Sequence, residues 1–317
     1  MAIAVLDGAP RSPLRNLVDD YLMHGEARGL APKTLHGYGY SLEQIFLPWC
    51  ASEGIADIAE LDRRAVDRFT SALLKRSHPD GRQISRHTVS SYIRPVRLLL
   101  TWASREGEDV RAKPQLPRCE DVPRDVLSRE EIDQLEKAKP AERDKLIVRI
   151  FGDCGLRLDE LTNLTPKDIV RSGRQGFLRV LGKRNRVRDV PVPPLLLRRI
   201  ERHIASRPEE RRCDRIFLTL RRGPDGAYSP LTPHGVEEAI TDAAARAGLH
   251  KRVYPHLLRH SWMTEMVRTG MHPFQLSVIA GASPQVIARH YTHLTKSDAY
   301  EAMLRSLSMG SQERRRY

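Results

Sequence analysis

Disulfide chemistry has almost nothing to work with in this chain. Its 317 residues hold four cysteines, Cys50, Cys119, Cys154 and Cys213, without a Cys-x-x-Cys or any paired spacing. That argues against a disulfide framework or a thiolate zinc site and favours free thiols in a reducing compartment. No run approaches the roughly 18 apolar residues a membrane span requires. The start, Met1 to Pro10, is mildly apolar but lacks the basic opening and long apolar core of a signal peptide. A cytoplasmic protein with no membrane partner is expected. Also missing are a Gly-x-x-x-x-Gly-Lys-Ser/Thr loop and a carboxylate cluster suited to magnesium, so neither a nucleotide cofactor nor a metal is expected. No internal repeat is visible.

What the chain does have is positive charge. There are 53 Lys plus Arg against 40 Asp plus Glu, a formal charge of +13. A polyanion is the natural partner, because each phosphate contact releases condensed counterions. Many soluble proteins are basic without touching nucleic acid, so charge alone does not decide the matter. A hydrophobic fraction of 40% is enough for two domains that each bury a core.

Periodicity divides the chain. Residues 1–110 read as an all-α domain of four helices, near Leu14 to Arg28, Lys33 to Ala51, Asp62 to Arg76 and Ser85 to Arg105. In the fourth, Val89, Ile93, Val96, Leu99 and Leu100 form an apolar stripe, and Pro95 should kink or break it. Residues 111–126, interrupted by Pro114, Pro117 and Pro123, read as an interdomain linker. Residues 127–308 form a helix-dominated α+β domain opened by a capping box between Ser128 and Glu131. Phe177 to Leu181 and Val187 to Val192 read as an antiparallel hairpin around a basic loop, with Ile216 to Leu220 as a third strand. Helices follow at Pro194 to Ser206, Pro233 to Ala247, Pro255 to Thr269, Pro273 to Ala280, Pro284 to His290 and Ser297 to Leu307. Residues 309–317 form a basic tail, within which Gln312 to Tyr317 is expected to be disordered. The fold class is therefore mainly α, with a small antiparallel sheet in the second domain.

Several residues suit phosphate chemistry. His256 and Arg259 lie three apart on one helix, near a terminus whose amides and dipole attract anions. Arg157 follows the Gly155 break, and its planar fork can donate two parallel hydrogen bonds to phosphate. Glu160, three residues on, could orient that guanidinium; alone it reads as an ordinary solvated acid. Lys183 follows Gly182 at a strand-to-loop corner and could protonate a leaving alkoxide. Arg184, Arg186 and Arg188 around it read as contacts to a DNA backbone. Tyr291 can act as a nucleophile only if cations stabilise the phenolate, given a reference pKa of about 10. His256 and His260 have metal-ligand spacing, but Leu257 stands where a zinc protease carries its Glu and no third ligand suggests itself.

Four motifs resemble the tyrosine recombinase, or phage integrase, family, in that family's order. They are Gly155-Leu156-Arg157-Leu158-Asp159-Glu160-Leu161, Gly182-Lys183-Arg184-Asn185-Arg186-Val187-Arg188-Asp189-Val190-Pro191, His256-Leu257-Leu258-Arg259-His260 and Tyr291-Thr292-His293. The helical segment from Leu14 to Gly107 looks like the family's core-binding domain. The resemblance implies a site-specific recombinase whose two domains close around double-stranded DNA, acting as a homotetramer on two synapsed sites. Tyr291 would form a 3′-phosphotyrosyl link, Arg157 and Arg259 would clamp the nonbridging oxygens, His256 would assist proton transfer and Lys183 would protonate the 5′-oxygen. With the helical pattern starting at Leu14, no arm-binding domain is expected before it, which suits a simple recombinase.

One departure stands out. The family usually has Leu-Gly-His or Leu-Gly-Trp ahead of the tyrosine, whereas this chain reads Ile279-Ala280-Gly281-Ala282-Ser283. Ala282 takes the second His position, and losing one such donor costs on the order of a hundred- to a thousandfold in rate. His290 and His293 are the nearest candidates to compensate. Two rivals share the chemistry or the fold: a type IB topoisomerase-like relaxing enzyme, and a catalytically impaired DNA-binding protein. The amphipathic segment with Tyr300, Met303, Leu304 and Leu307 could dock into a neighbouring subunit or pack on its own domain.

Overall fold

The computed structural model describes residues 13–77, 80–119, 125–182, 186–293, 300 and 303–304. The chain divides into two compact units, Met1–Asp121 and Val122–Tyr317. The first is built from α1 (Pro13–Ala27), α2 (Pro32–Ser41), a π-turn (Leu42–Phe46) leading into α3 (Leu47–Ser52), α4 (Arg63–Lys75) and α5 (Arg86–Arg105). Asp62 and Ser85 cap α4 and α5 by accepting the amides of Ala65 and Thr88. Val18, Phe46, Phe69, Ile93, Leu99 and Leu100 are among the side chains that fill the core.

Of the expected kink or break at Pro95, the break does not occur: α5 runs through it as one helix. Pro95 is buried together with Val89, Ile93, Val96, Leu99 and Leu100. Burying that stripe, at roughly 1.5–3 kcal/mol for each large side chain, outweighs the roughly 3 kcal/mol an interior proline costs.

In the second unit, α6 (Arg129–Lys137) starts on the expected capping box. Ser128 N–H donates to Glu131 Oε2 at 2.8 Å, and Glu131 N–H donates to Ser128 Oγ at 3.2 Å. Then come α7 (Glu142–Cys154), α8 (Leu158–Asn163) and an antiparallel sheet of order β1 (Ile169–Ser172), β2 (Gln175–Leu181), β3 (Val187–Val192). Leu178 lies opposite both Ile169 and Val190. The third strand is therefore Ile169–Ser172 and not Ile216 to Leu220. Gly173, at φ 58°, allows the tight turn that pairs β1 with β2. The 216–220 segment instead bonds to neighbouring loops, with Ile216 N–H on Leu164 O, Thr219 N–H on Ser229 O and an isolated bridge between Leu218 and Pro230.

Helices α9 (Pro194–Ala205), α10 (Pro233–Arg246), α11 (Pro255–Arg268), α12 (Pro273–Ala280) and α13 (Pro284–Ala288) complete the unit. The last gives way to a 3-10 turn, Arg289–His293, earlier than the expected helix end. The main core gathers Ile147, Ile150 and Phe151 of α7 with Leu178, Val190, Ile200, Ile240 and Leu258. A smaller cluster of Trp262, Met263 and Val267 with Leu276, Ala280 and Ile287 holds α12 and α13 on α11. Tyr300, Met303 and Leu304 are exposed. The rest of the expected helix from 297 to 307, and the tail, lie outside the described residues. Among the described residues no helix is long and apolar enough to cross a membrane.

Candidate active site

Two left-handed glycines shape the site. Helix α7 ends at Gly155, φ 60°, where an added Cβ would stand 2.0 Å from Trp262 Cε3. Only glycine fits both the conformation and the contact. The turn leaves Arg157 at the cap of α8, with its N–H on Glu160 Oε2 at 2.8 Å and its Nη1 on Glu160 Oε1 at 2.8 Å. Helix α12 likewise ends at Gly281, φ 59°.

Three consecutive carbonyls at the end of α12 each receive a different arginine. Ile279 O accepts from Arg188 Nε at 2.8 Å, Ala280 O from Arg259 Nη2, and Gly281 O from Arg157 Nη2. Arg259 Nη1 donates also to Gly155 O. The last carbonyls of a helix have no partner within it and carry its negative dipole end, so guanidiniums are stabilised there. Side chains from α8, β3 and α11 thus converge on one helix end.

Glu160, its side chain 3% exposed, is the carboxylate that Arg157 and Arg188 share. Arg188 binds it through both terminal nitrogens, Nη1 to Oε1 at 2.7 Å and Nη2 to Oε2 at 2.8 Å. Burial alone would raise its pKa, but hydrogen bonds from Arg188 and Arg157 hold it below the usual carboxylate range. Arg259 is 2% exposed; burial, followed by the nearby Arg157 guanidinium, pushes it down to about 9, against the opposing pull of Glu160. It remains protonated at neutral pH. Three cations against one buried carboxylate leave the cluster with net positive charge.

His256 is exposed, one turn before Arg259 on α11. Tyr291 sits in the 3-10 turn packed on α11 and is 37% exposed. Partial burial pushes its phenol above the ordinary tyrosine value. His290 points the other way: it is buried, its ring centroid 4.4 Å from that of His260 and its Nδ1 3.0 Å from Thr264 Oγ1. It is engaged with α11, and so is poorly placed to replace a phosphate donor at Ala282.

Lys183 and Arg184, and the side chain of His293, lie outside the described residues. The base of the Lys183 loop is described: Gly182 N–H donates to Arg186 O at 2.8 Å, and a Cβ on Gly182 would lie 3.8 Å from Arg157 Nη1. Arg186 is exposed. Arg188 differs from expectation. Its side chain is only 10% exposed and donates to Glu160 and Ile279 O, so it lies largely buried and paired instead of free on the loop surface. The sequence did carry the signal, since Arg188 shares a strand face with the buried Val190 and Val192. Among the described residues no group of three His, Cys, Asp or Glu is placed to hold a metal ion.

Comparison with known proteins points to one family. Residues 125–298 match the model of the phage integrase family. The chain is 27% identical over 302 residues to tyrosine recombinase XerC 2 of Ralstonia nicotianae, covering 89% of this chain and 84% of that one. Its fold resembles the Tn1549 transposon integrase in complex with transposon right end DNA, with TM-score 0.70 and 19% identity over 92% of this chain and 98% of that one. It also resembles XerH site-specific recombinase bound to palindromic difH substrate, with TM-score 0.69 and 18% identity over 90% and 83% of the two chains. With four ordered motifs, arginines gathered on one helix end and a family match over its second unit, the chain belongs to the phage integrase family of tyrosine recombinases.

Proposed function

We propose that Tyr291 is the nucleophile with which this tyrosine-type site-specific recombinase cuts and rejoins double-stranded DNA. Its hydroxyl oxygen bonds to the scissile phosphorus as the bond to the 5′-oxygen breaks, leaving a 3′-phosphotyrosyl link. His256 takes up the phenolic proton and Lys183 supplies one to the departing 5′-oxygen. Arg157 and Arg259 hold the nonbridging oxygens, where developing charge is stabilised most. A 5′-hydroxyl from the partner strand then attacks the phosphotyrosine, restoring the phosphodiester and freeing Tyr291. Because the bond energy is kept in the protein link, exchange requires neither ATP nor metal.

The observation that carries this reading is the joint anchoring of Arg157 and Arg259 on adjacent carbonyls of α12. We assign the first unit to core DNA binding, the working form to a homotetramer on synapsed sites and the location to the cytoplasm. The exposed Tyr300, Met303 and Leu304 support docking of the C-terminal segment on an adjoining subunit. Ala282 favours one second reading, a slow or impaired protein that retains DNA binding. Incubating the protein with host genomic DNA fragments, denaturing it and sequencing the DNA trapped on Tyr291 tests both. Site-specific adducts support the recombinase; sequence-selective binding without adducts supports the impaired reading.

A further inference from the structure

Arg188 occupies a singular place in the site. It reaches from β3 to two elements at once: both terminal nitrogens lie on Glu160 of α8, and Nε lies on Ile279 O of α12. A Cβ on Gly281 would come within 3.0 Å of its Cζ, so the guanidinium lies directly against the turn whose carbonyl holds Arg157. Glu160 meanwhile accepts four hydrogen bonds, two from Arg188 and two from Arg157.

We propose that Arg188 is a positioning residue for strand cleavage: it shares the charge of Glu160 and ties β3 to the end of α12, so that Arg157 and Arg259 face the phosphate in register. This rests on the reading of Tyr291 as nucleophile. Without Arg188, Glu160 would draw on Arg157 alone, and the α12 carbonyls that anchor Arg157 and Arg259 would lose their tether to the sheet. A phosphate-binding arginine displaced by about 1 Å costs on the order of a hundredfold in rate. Among the described residues, the charged groups facing Glu160 are Arg157 at the start of α8, Arg188 from β3 and, at longer range, Arg259 from α11. Removing Arg188 raises the Glu160 pKa, so Glu160 becomes protonated, and loosens Arg157, at a higher pH than in the parent.

The test compares the parent, Tyr291→Phe, Arg188→Leu and Arg188→Lys on a nicked duplex carrying the sequence that the parent selects by binding from host genomic DNA. Adduct formation in a single turnover, DNA affinity and the pH profile are measured. The parent should form the adduct and Tyr291→Phe should not. Arg188→Leu should be slowed by about a hundredfold with parental DNA affinity and an acid limb moved to higher pH. Arg188→Lys, which keeps the charge but not the fork, should fall between them. Parental rate in Arg188→Leu, or parallel loss of binding and cleavage with an unmoved pH profile, would overturn the proposal alone. A parent that binds the duplex without forming an adduct would overturn the nucleophile assignment, and this proposal with it. If Arg188→Leu does not fold, Arg188→Lys carries the test, and parental rate and profile in that variant count against the role.

Discussion

Arg157 and Arg259 donate to neighbouring carbonyls of one helix end, Gly281 O and Ala280 O. The spacing of the two guanidiniums is therefore set by a single peptide unit, not by two flexible side chains. Arg259 spans a second anchor, Gly155 O, which only a fork-shaped group can reach together with Ala280 O. Arg259→Lys should lower adduct formation by about a hundred- to a thousandfold while DNA affinity, measured by fluorescence anisotropy, stays close to parental.

Glycine geometry offers a controlled comparison. Gly281→Ala meets a left-handed backbone and, at 3.0 Å, the Arg188 guanidinium, whereas Gly248→Ala meets a left-handed backbone in open space. Both variants should lose about 1–3 kcal/mol of stability, read from urea midpoints. Only Gly281→Ala should also slow cleavage beyond what its lost stability explains.

Glu160 supplies a pH signature. Its folded pKa lies below the ordinary carboxylate value, so the stability it contributes is present above the unfolded pKa of about 4.3. That contribution is lost as pH falls through the lower folded value. Glu160→Gln leaves the largely buried Arg188 and the half-buried Arg157 without their carboxylate and should cost on the order of 1–3 kcal/mol at neutral pH. The gap between the two unfolding curves should close in acid; a gap constant down to pH of about 3 would mean the carboxylate charge is not what stabilises the site.

His290 tests what stands in for the donor absent at Ala282. Because its ring is held between His260 and Thr264, His290→Ala should loosen the Tyr291 turn and lower cleavage through stability and order. Ala282→His should raise cleavage, by up to about a hundredfold, and should not restore His290→Ala to the parental rate. Equal rates for the parent and Ala282→His would show that no donor is wanting.

Much of this fold was legible in the residues. Prolines at 194, 233, 255, 273 and 284 marked where helices begin, since a missing N–H costs nothing in a first turn. Ser128 with Glu131 marked α6 in the same way. The first strand was not legible: it has only four residues, and half of them are Arg171 and Ser172. Arg157, Arg259 and Glu160 could be picked out by type and spacing, but their anchors could not. Ile279, Ala280 and Gly281 act through backbone oxygens, which no side-chain pattern reports. The pairing of His290 with His260 depends on how α11 meets a turn thirty residues later, information carried by packing and not by local sequence.

The most direct measurement is the identity of the residue joined to DNA after cleavage. Protein captured on a nicked duplex of its own site, digested and sequenced by mass spectrometry, should carry the nucleotide on Tyr291 through a 3′-phosphate, and Tyr291→Phe should yield none. Attachment at another residue, or an adduct that persists in Tyr291→Phe, would contradict the assignment of that phenol as the nucleophile.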